Sequence, residues 1–184
     1  MPDRLIRRGR VVADDFVTVP PAGGPGPDAR ALPAGPILVP LATWAARREE
    51  LRAREAPVGV VLGPADVPAA LAGDFERLAA IAVHFPKFAD GRGYSIACQL
   101  RRRLGYRGEL RAVGDVQRDQ LFYLSRCGFD AFLLAEGRDA HAALAALGDF
   151  TLTYQAAADG RAPAWTGRAR CGTLVAEPGP AGAG

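Results

Sequence analysis

Cysteine and histidine are scarce in this chain, and their scarcity removes several classes of site. The three cysteines, Cys98, Cys127 and Cys171, form no C-x-x-C pair and are too scattered for a metal or cluster site. The two histidines, His84 and His141, show no pairing with a cysteine or serine nucleophile, so no catalytic triad is recognisable. We therefore predict three free thiols and no metal site.

Long hydrophobic runs and a one-sided charge are also missing. No apolar run approaches the roughly 20 residues that a membrane helix needs, and the opening MPDRLIRRGR lacks the apolar core of a secretory signal. The net charge is +3, and the basic residues are spread along the chain rather than gathered in one block. These features predict a cytoplasmic protein that binds neither nucleic acid nor membranes.

Cofactor-binding fingerprints are absent too. The motif GRGY, Gly91 to Tyr94, lacks the third glycine of a dinucleotide-binding loop, and the chain has no G-x-x-x-x-G-K-[ST] phosphate loop. The cysteines do not form a set for siroheme or an iron–sulfur cluster. The sequence therefore predicts no cofactor.

Composition divides the 184 residues into four segments, one of which is large enough to form a domain core. Residues 1–19 carry a glycine within a basic, β-branched context and predict a hairpin. Residues 20–36 are so rich in proline and glycine that they predict a linker without regular structure. Residues 37–154 form the predicted α/β core, and residues 155–184 a disordered tail.

The predicted core alternates short apolar runs with helical patterns. Five runs are typical of strands buried on both faces of a parallel sheet: Ile37–Val39, Val58–Leu62, Ala79–Phe85, Glu109–Val113 and Phe129–Ala135. Apolar residues at helical spacing lie between and after them, in the segments 67–78, 96–104, 121–127 and 140–147. We predict an open parallel sheet or a partial (β/α) barrel of about five strands, because a closed eightfold barrel takes roughly 250 residues.

Polar residues punctuate this pattern at the predicted helix ends. Glycines at 105, 128 and 148 follow the last apolar position of a helix, where a left-handed cap favours glycine. Asp66, Ser95 and Asp115 stand at predicted N-caps.

The most polar loop at a predicted strand end is FPKFADGRGYS, Phe85 to Ser95. Ligands of open parallel sheets bind beyond the carboxyl ends of the strands. Gly91 and Gly93 would let the backbone turn, Ser95 would open a helix, and Lys87 and Arg92 would add positive charge, which together favour an anion site. The alternative is structural: Ser95 caps its helix, Asp90 forms an Asx-turn, and Arg92 pairs with Asp115 or Asp119.

A second polar cluster, GDVQRDQ, Gly114 to Gln120, follows the next predicted strand. Asp115 and Asp119 are four residues apart and therefore share one face of a helical turn. Two such carboxylates bind a cation, act as acid and base, or simply cap the helix, and the spacing selects no metal. Because neighbouring parallel strands end on one rim, we expect Lys87, Asp90, Arg92 and Tyr94 to face Asp115 and Asp119 across one concave site.

These two blocks resemble a bacterial family catalogued as domain of unknown function 934. The matching patterns are F-x-K-F-x-D-G-R-x-Y-S and E-L-R-A-x-G-D-V-x-x-D-Q, and the resemblance extends from RLIRRGRVV to about Tyr154, without the linker and the tail. The resemblance implies a probable oxidoreductase associated with sulfite reduction, and it carries over no established catalytic residue. The motif positions supply the candidate ligand-binding residues: Lys87, Asp90, Arg92, Tyr94, Ser95, Asp115, Asp119 and Gln120.

Three functions remain open on this basis. The first is an accessory protein of assimilatory sulfate or sulfite reduction that binds a small oxyanion or sulfur metabolite, or docks on sulfite reductase or another enzyme of sulfur assimilation. The second is an enzyme with Lys87, Asp90 and Asp115 at the strand ends as acid, base or electrostatic groups. The third is a structural partner protein whose motif residues hold loops together.

Overall fold

The computed structural model describes residues 5–21, 30–149, 153, 154, 156–158, 164 and 166. No helix in those ranges combines the length and the hydrophobicity that crossing a bilayer requires. The predicted tail after residue 155 lies almost entirely outside the described residues, as does the middle of the predicted linker. The described linker residues, 20–21 and 30–36, carry no helix or strand.

One mixed sheet of eight strands organises the fold. The strands are β1 (Leu5–Arg7), β2 (Arg10–Val12), β3 (Val17–Thr18), β4 (Ile37–Pro40), β5 (Val58–Leu62), β6 (Ala80–Phe85), β7 (Glu109–Gly114) and β8 (Ala131–Leu133). Their spatial order is β2-β1-β8-β7-β6-β5-β4-β3. The strands β3 to β8 are parallel, whereas β1 is antiparallel to both β2 and β8.

The five predicted strands are present as β4 to β8 and are parallel neighbours, as expected. The count of about five is too low, because the predicted hairpin, β1 and β2, joins the sheet beside β8 and β3 extends it beside β4. These three additional strands have only two or three residues each. Such short strands give no periodic pattern by which a sequence would assign them to the sheet.

The sheet is curled into a half-barrel. Its two edge strands, β2 and β3, are consecutive in the chain and are joined by residues 13–16 alone. Each residue spans at most about 3.6 Å, so the Cα atoms of Val12 and Val17 are at most roughly 18 Å apart. A flat sheet of eight strands at about 4.8 Å spacing would hold its edges roughly 34 Å apart.

The link between the two edges is fastened to the concave face through Arg111 of β7. This side chain is 1% exposed, pairs with Asp14 of the link at 2.8 Å, and also forms an ion pair with Glu109. Its guanidinium lies 4.5 Å from the ring centroid of Phe16. Phe16 also packs against a cluster that includes the buried Ala80 and Ala82.

Short helices cover the convex face. They are α1 (Leu41–Ala46), α2 (Arg48–Arg52), α3 (Arg92–Cys98), α4 (Leu121–Arg126) and α5 (Ala140–Leu144). A π-helical turn, Gln99–Arg103, continues α3, and 3-10 turns occur at Pro68–Leu71, Arg118–Gln120 and Ala145–Gly148. The main core lies between these helices and alternate strand residues such as Val60, Val83 and Leu110.

The helix predicted over residues 67–78 is wrong. Pro68 begins a single 3-10 turn that ends at Leu71, and the following residues form turns. Val67, the first residue of the predicted apolar face, is 65% exposed. Asp74 in this segment accepts a hydrogen bond from the indole of Trp44 at 3.1 Å. This buried tertiary contact, rather than a helix, holds the segment against the core.

The predicted caps are only partly correct. Gly105 and Gly128 follow their helices with φ angles of 70° and 101°, as a left-handed cap requires, whereas Gly148 has no positive φ. The predicted N-caps Asp66, Ser95 and Asp115 do not cap a helix. The carboxylate of Asp66 instead accepts a hydrogen bond from the Gly63 amide at 2.7 Å. Asp139 caps α5, because its carboxylate accepts hydrogen bonds from the amides of His141 and Ala142.

Candidate functional site

The loops after β6 and β7 meet at the carboxyl edge of the sheet, as the parallel strands require. The Asp115 amide donates to the Phe85 carbonyl at 2.8 Å, and the Phe88 amide donates to Asp115 Oδ2 at 2.9 Å. Gly114 makes this approach possible, because its φ is 100° and a Cβ there would lie 2.3 Å from the Phe85 oxygen. The two predicted polar blocks therefore form one rim.

The side chain of Gln120 connects the two blocks, because it is bonded to residues of both. Its side chain is among the buried polar groups, and its Nε2 donates to the Phe88 carbonyl at 3.3 Å and the Tyr94 hydroxyl at 3.2 Å. Its Oε1 accepts the Gln117 amide at 3.0 Å, and Gln117 Nε2 donates to Asp115 Oδ1 at 3.2 Å. Three predicted site residues, Tyr94, Asp115 and Gln120, are thus committed to holding the rim together.

Aromatic packing supports this rim. The ring of Phe85 lies 5.3 Å from that of Tyr94, which in turn lies 5.1 Å from that of Tyr123. Partial burial raises the pKa of Tyr94, so its hydroxyl remains protonated at neutral pH. A Cβ on Gly93 would lie 2.5 Å from the Phe85 ring. Gly93 is therefore needed for close packing, and the expectation that it lets the backbone turn is wrong, because it lies within α3.

The alternative pairing of Arg92 with Asp115 or Asp119 does not occur. Arg92 Nε and Nη2 donate to the two oxygens of Asp90 at 2.9 and 2.6 Å. Asp90 also accepts the Arg92 amide at 3.2 Å, which is the Asx-turn considered above. The hydrogen bonds from the Arg92 side chain and amide lower the pKa of Asp90 to about 2, so this carboxylate is ionised at neutral pH.

Asp90 takes the place at the start of α3 where an anion was expected. The helix begins at Arg92, three residues before Ser95, so Ser95 lies inside the helix and is exposed. The Arg92 amide bonds to Asp90, and the Tyr94 amide bonds to the Gly91 carbonyl at 3.2 Å. These two amides at the start of the helix already have acceptors from the loop itself.

The rim does not bring the two aspartates together as a pair. Asp115 is half-buried among the hydrogen bonds of the rim, whereas Asp119 is exposed and lines a separate cavity of about 300 Å³ with Gln117 and Arg138. Lys87 is exposed and forms no ion pair with any residue that the structure describes. The rim therefore presents Lys87, Ser95, Asp119 and the Asp90–Arg92 pair to solvent.

Two exposed aromatic side chains on this rim were not among the predicted residues. Phe88 is 44% exposed and its backbone is held by Asp115 and Gln120, while Tyr123 of α4 is 58% exposed and packs on Tyr94. Phe88 lies inside the first motif, between Lys87 and Asp90. An apolar residue in a polar loop at a strand end is the sequence signal by which it could have been chosen as a site residue. Tyr123 stands on a helix whose pattern gave no such indication.

Larger cavities lie elsewhere on the molecule. One of about 790 Å³ is lined by Arg52, Arg77, Arg107 and Tyr106 among others, and one of about 490 Å³ by Cys98, Cys127 and Tyr123 among others. Neither includes a residue of the predicted site. Within the described ranges, no group of three or more histidine, cysteine, aspartate or glutamate side chains is arranged to hold a metal ion.

Comparison with known proteins agrees with the motif evidence. A family model described as a bacterial protein of unknown function, DUF934, matches residues 59–165, which is more than half of the 184-residue chain. The matched range contains both polar blocks, the strands β6 to β8 and all of β5 except Val58. No curated protein matches the chain significantly. The chain belongs to the DUF934 family.

Proposed function

We propose that the chain is a cytoplasmic accessory protein of assimilatory sulfate or sulfite reduction that docks through its rim onto sulfite reductase or another enzyme of sulfur assimilation. The family resemblance supports the metabolic setting. The observation that carries the docking is the exposed Phe88, whose backbone is held by hydrogen bonds to Asp115 and Gln120 of the second block.

The rim surface, defined here as Lys87, Phe88, Arg92 and Tyr123, has the composition of a protein interface. Aromatic residues and arginine are enriched at the centres of interfaces, and a preformed surface loses little conformational entropy on binding. Asp115 and Gln120 fix the backbone that carries Phe88, so the exposed ring is presented by a rigid support. Lys87 adds a charge that favours an acidic patch on the partner.

A binding measurement between the purified chain and the sulfite reductase of the same organism tests the proposal. We expect Phe88→Ser combined with Lys87→Glu to raise Kd by at least about tenfold, because a central aromatic anchor contributes on the order of 2 kcal/mol. Val17→Thr is the matched control, since it changes an exposed apolar side chain on the edge strand β3. Equal affinity of all three proteins, or no binding by the unaltered chain, contradicts docking through the rim on this enzyme.

Binding of a small oxyanion is the second candidate, and the exposed Lys87 without an ion pair favours it. An anion at this position would also compete with Asp90 for Arg92. We expect sulfite or sulfate to raise the Tm of the unaltered chain more than that of Lys87→Ala. Equal shifts at matched ionic strength contradict an oxyanion site at Lys87.

A further inference from the structure

Two thiols from distant parts of the sequence lie side by side. Cys98 is the last residue of α3, and Cys127 directly follows the last residue of α4. Both side chains line one cavity together with Tyr123, and the nearby Cys98 sulfur is one cause of a raised pKa of the Cys127 thiol. Both cysteines are free thiols, Cys98 half-buried and Cys127 buried.

Arg101 fixes the backbone around both cysteines. It belongs to the π-helical turn that follows Cys98, and its Nε donates to the carbonyl of Gly128, the residue after Cys127, at 2.8 Å. The same guanidinium forms an ion pair with Asp130. Gly128 has a φ of 101°, and a Cβ there would lie 2.6 Å from the Arg101 side chain. Arg101 therefore ties the backbone that follows Cys98 to the backbone that follows Cys127.

The thiol pair opens onto the cavity of about 490 Å³. Besides both cysteines, the cavity is lined by Arg102, Arg126 and Tyr123, with Tyr154 and neighbouring residues at its border. A solute in this cavity reaches Cys98 more readily than Cys127, which is 5% exposed. Arg102 is exposed and favours a solute that carries carboxylates.

We propose that Cys98 and Cys127 form a thiol–disulfide exchange site for small anionic disulfides, with Cys98 as the attacking thiol and Cys127 as the resolving thiol. In the first step the Cys98 thiolate attacks one sulfur of R–S–S–R, and the sulfur–sulfur bond breaks to release R–S⁻. In the second step the Cys127 thiolate attacks the Cys98 sulfur, forms the Cys98–Cys127 disulfide and releases the second R–S⁻. The protein loses two electrons and two protons, and the disulfide is reduced to two R–SH.

The surroundings of Cys127 fit the second position. Burial above all, and then the nearby Cys98 sulfur, raise the pKa of the Cys127 thiol to about 12, against smaller opposing effects of Tyr123 and Arg126. Cys127 is therefore a thiol at neutral pH and a poor first nucleophile. Once Cys98 is part of a mixed disulfide it no longer carries a thiolate charge, so one cause of the raised pKa is removed.

Intact mass spectrometry of the reduced full chain after exposure to glutathione disulfide tests the site. The Cys171→Ser background leaves Cys98 and Cys127 as the reacting thiols. We expect this protein to lose about 2 Da, the mass of two hydrogens, on forming the internal disulfide. Adding Cys127→Ala should leave one stable glutathione adduct, mapped to Cys98, whereas adding Cys98→Ala should slow modification at least about tenfold.

Arg102 and Arg103 provide a matched pair for the charge selectivity, because both are exposed and Arg102 alone lines the cavity. Arg102→Ser should slow reaction with glutathione disulfide about twofold to threefold and spare reaction with the cationic cystamine. Arg103→Ser should change neither rate. The proposal is overturned if the Cys171→Ser protein forms no internal disulfide, or if adding Cys98→Ala leaves its rate of modification unchanged. It is also overturned if the Arg102→Ser and Arg103→Ser proteins react with glutathione disulfide at the same rate.

Discussion

Substitution of the two glycines of the rim motif tests the packing argument most closely. Gly93→Ala places a Cβ 2.5 Å from Cζ and 2.6 Å from Cε1 of the Phe85 ring. The ring cannot withdraw freely, because Phe85 is fully buried and packs on Tyr94 and Phe129 at centroid distances of 5.3 and 6.0 Å. Overpacking of this kind costs about 1–3 kcal/mol.

Part of that cost is offset by helix propensity, since alanine is favoured over glycine in a helix by up to about 1 kcal/mol. We therefore expect Gly93→Ala to lower the free energy of unfolding by about 1–2 kcal/mol, measured by urea denaturation at constant m. Gly91→Ala is the matched control two residues earlier. A Cβ there meets nothing within 4 Å, and its φ of −79° suits any residue, so the change should stay within about 0.5 kcal/mol.

A second variant separates the clash from a general effect on the helix. Phe85→Leu removes the ring that the new Cβ meets, so Gly93→Ala should cost less in the Phe85→Leu background than in the unaltered chain. Equal losses for Gly91→Ala and Gly93→Ala, or a cost of Gly93→Ala that is independent of Phe85, would refute the reasoning.

Three further predictions concern the polar contacts. Gln120→Ala should lower the free energy of unfolding by about 1–2 kcal/mol, because the buried Tyr94 hydroxyl and Gln117 amide lose their partner, whereas the exposed Asp119→Ala should change it little, as denaturation will show. Asp90 should titrate near pH 2 by NMR, and Arg92→Ala should return its pKa toward 3.8. The pair of Asp90 with Arg92 should contribute to the stability of the folded state above about pH 4, and this contribution should be lost as the pH falls through about 2. Arg111→Met should cost about 3 kcal/mol, because Asp14 loses its ion-pair partner and Glu109 keeps only Arg7. Asp14→Asn in the same chain should recover part of that loss, and no recovery would contradict the role of Arg111 in holding residues 13–16.

The parallel sheet and the meeting of the two polar blocks were predictable from the sequence. Runs such as Val58–Leu62 are apolar on both faces, and turn residues separate them. The regular recurrence of such runs along the chain therefore indicates a parallel sheet. Because parallel strands end on one edge, placing the loops after Phe85 and Val113 on one rim required no further information.

The partners within the rim were not predictable in the same way. Arg92 lies near several carboxylates, and the sequence gives no reason to prefer Asp90, whose pairing depends on where α3 begins. The start of α3 at Arg92 rather than Ser95 is a difference of three residues, and it changes which amides are free. Gly93 has the same chemistry as Gly91, yet the Phe85 ring that constrains it comes from a strand eight residues earlier.

The thiol pair shows a different limit. Cys98 and Cys127 are separated by a π-helical turn, the strand β7, a 3-10 turn and the helix α4. A search for C-x-x-C spacing passes over pairs that tertiary packing brings together. The placement of α3 and α4 side by side on the sheet is what makes them neighbours.

Growth on defined sulfur sources tests the proposed function most directly. A strain that lacks the gene should grow on cysteine and fail or slow on sulfate, and the unaltered gene should restore growth on sulfate. The Phe88→Ser and Lys87→Glu double variant, expressed at the same level, should not restore it, whereas Val17→Thr should. Equal growth of the deletion strain on both sulfur sources would contradict a function in sulfate or sulfite reduction, and full rescue by the double variant would contradict action through the rim.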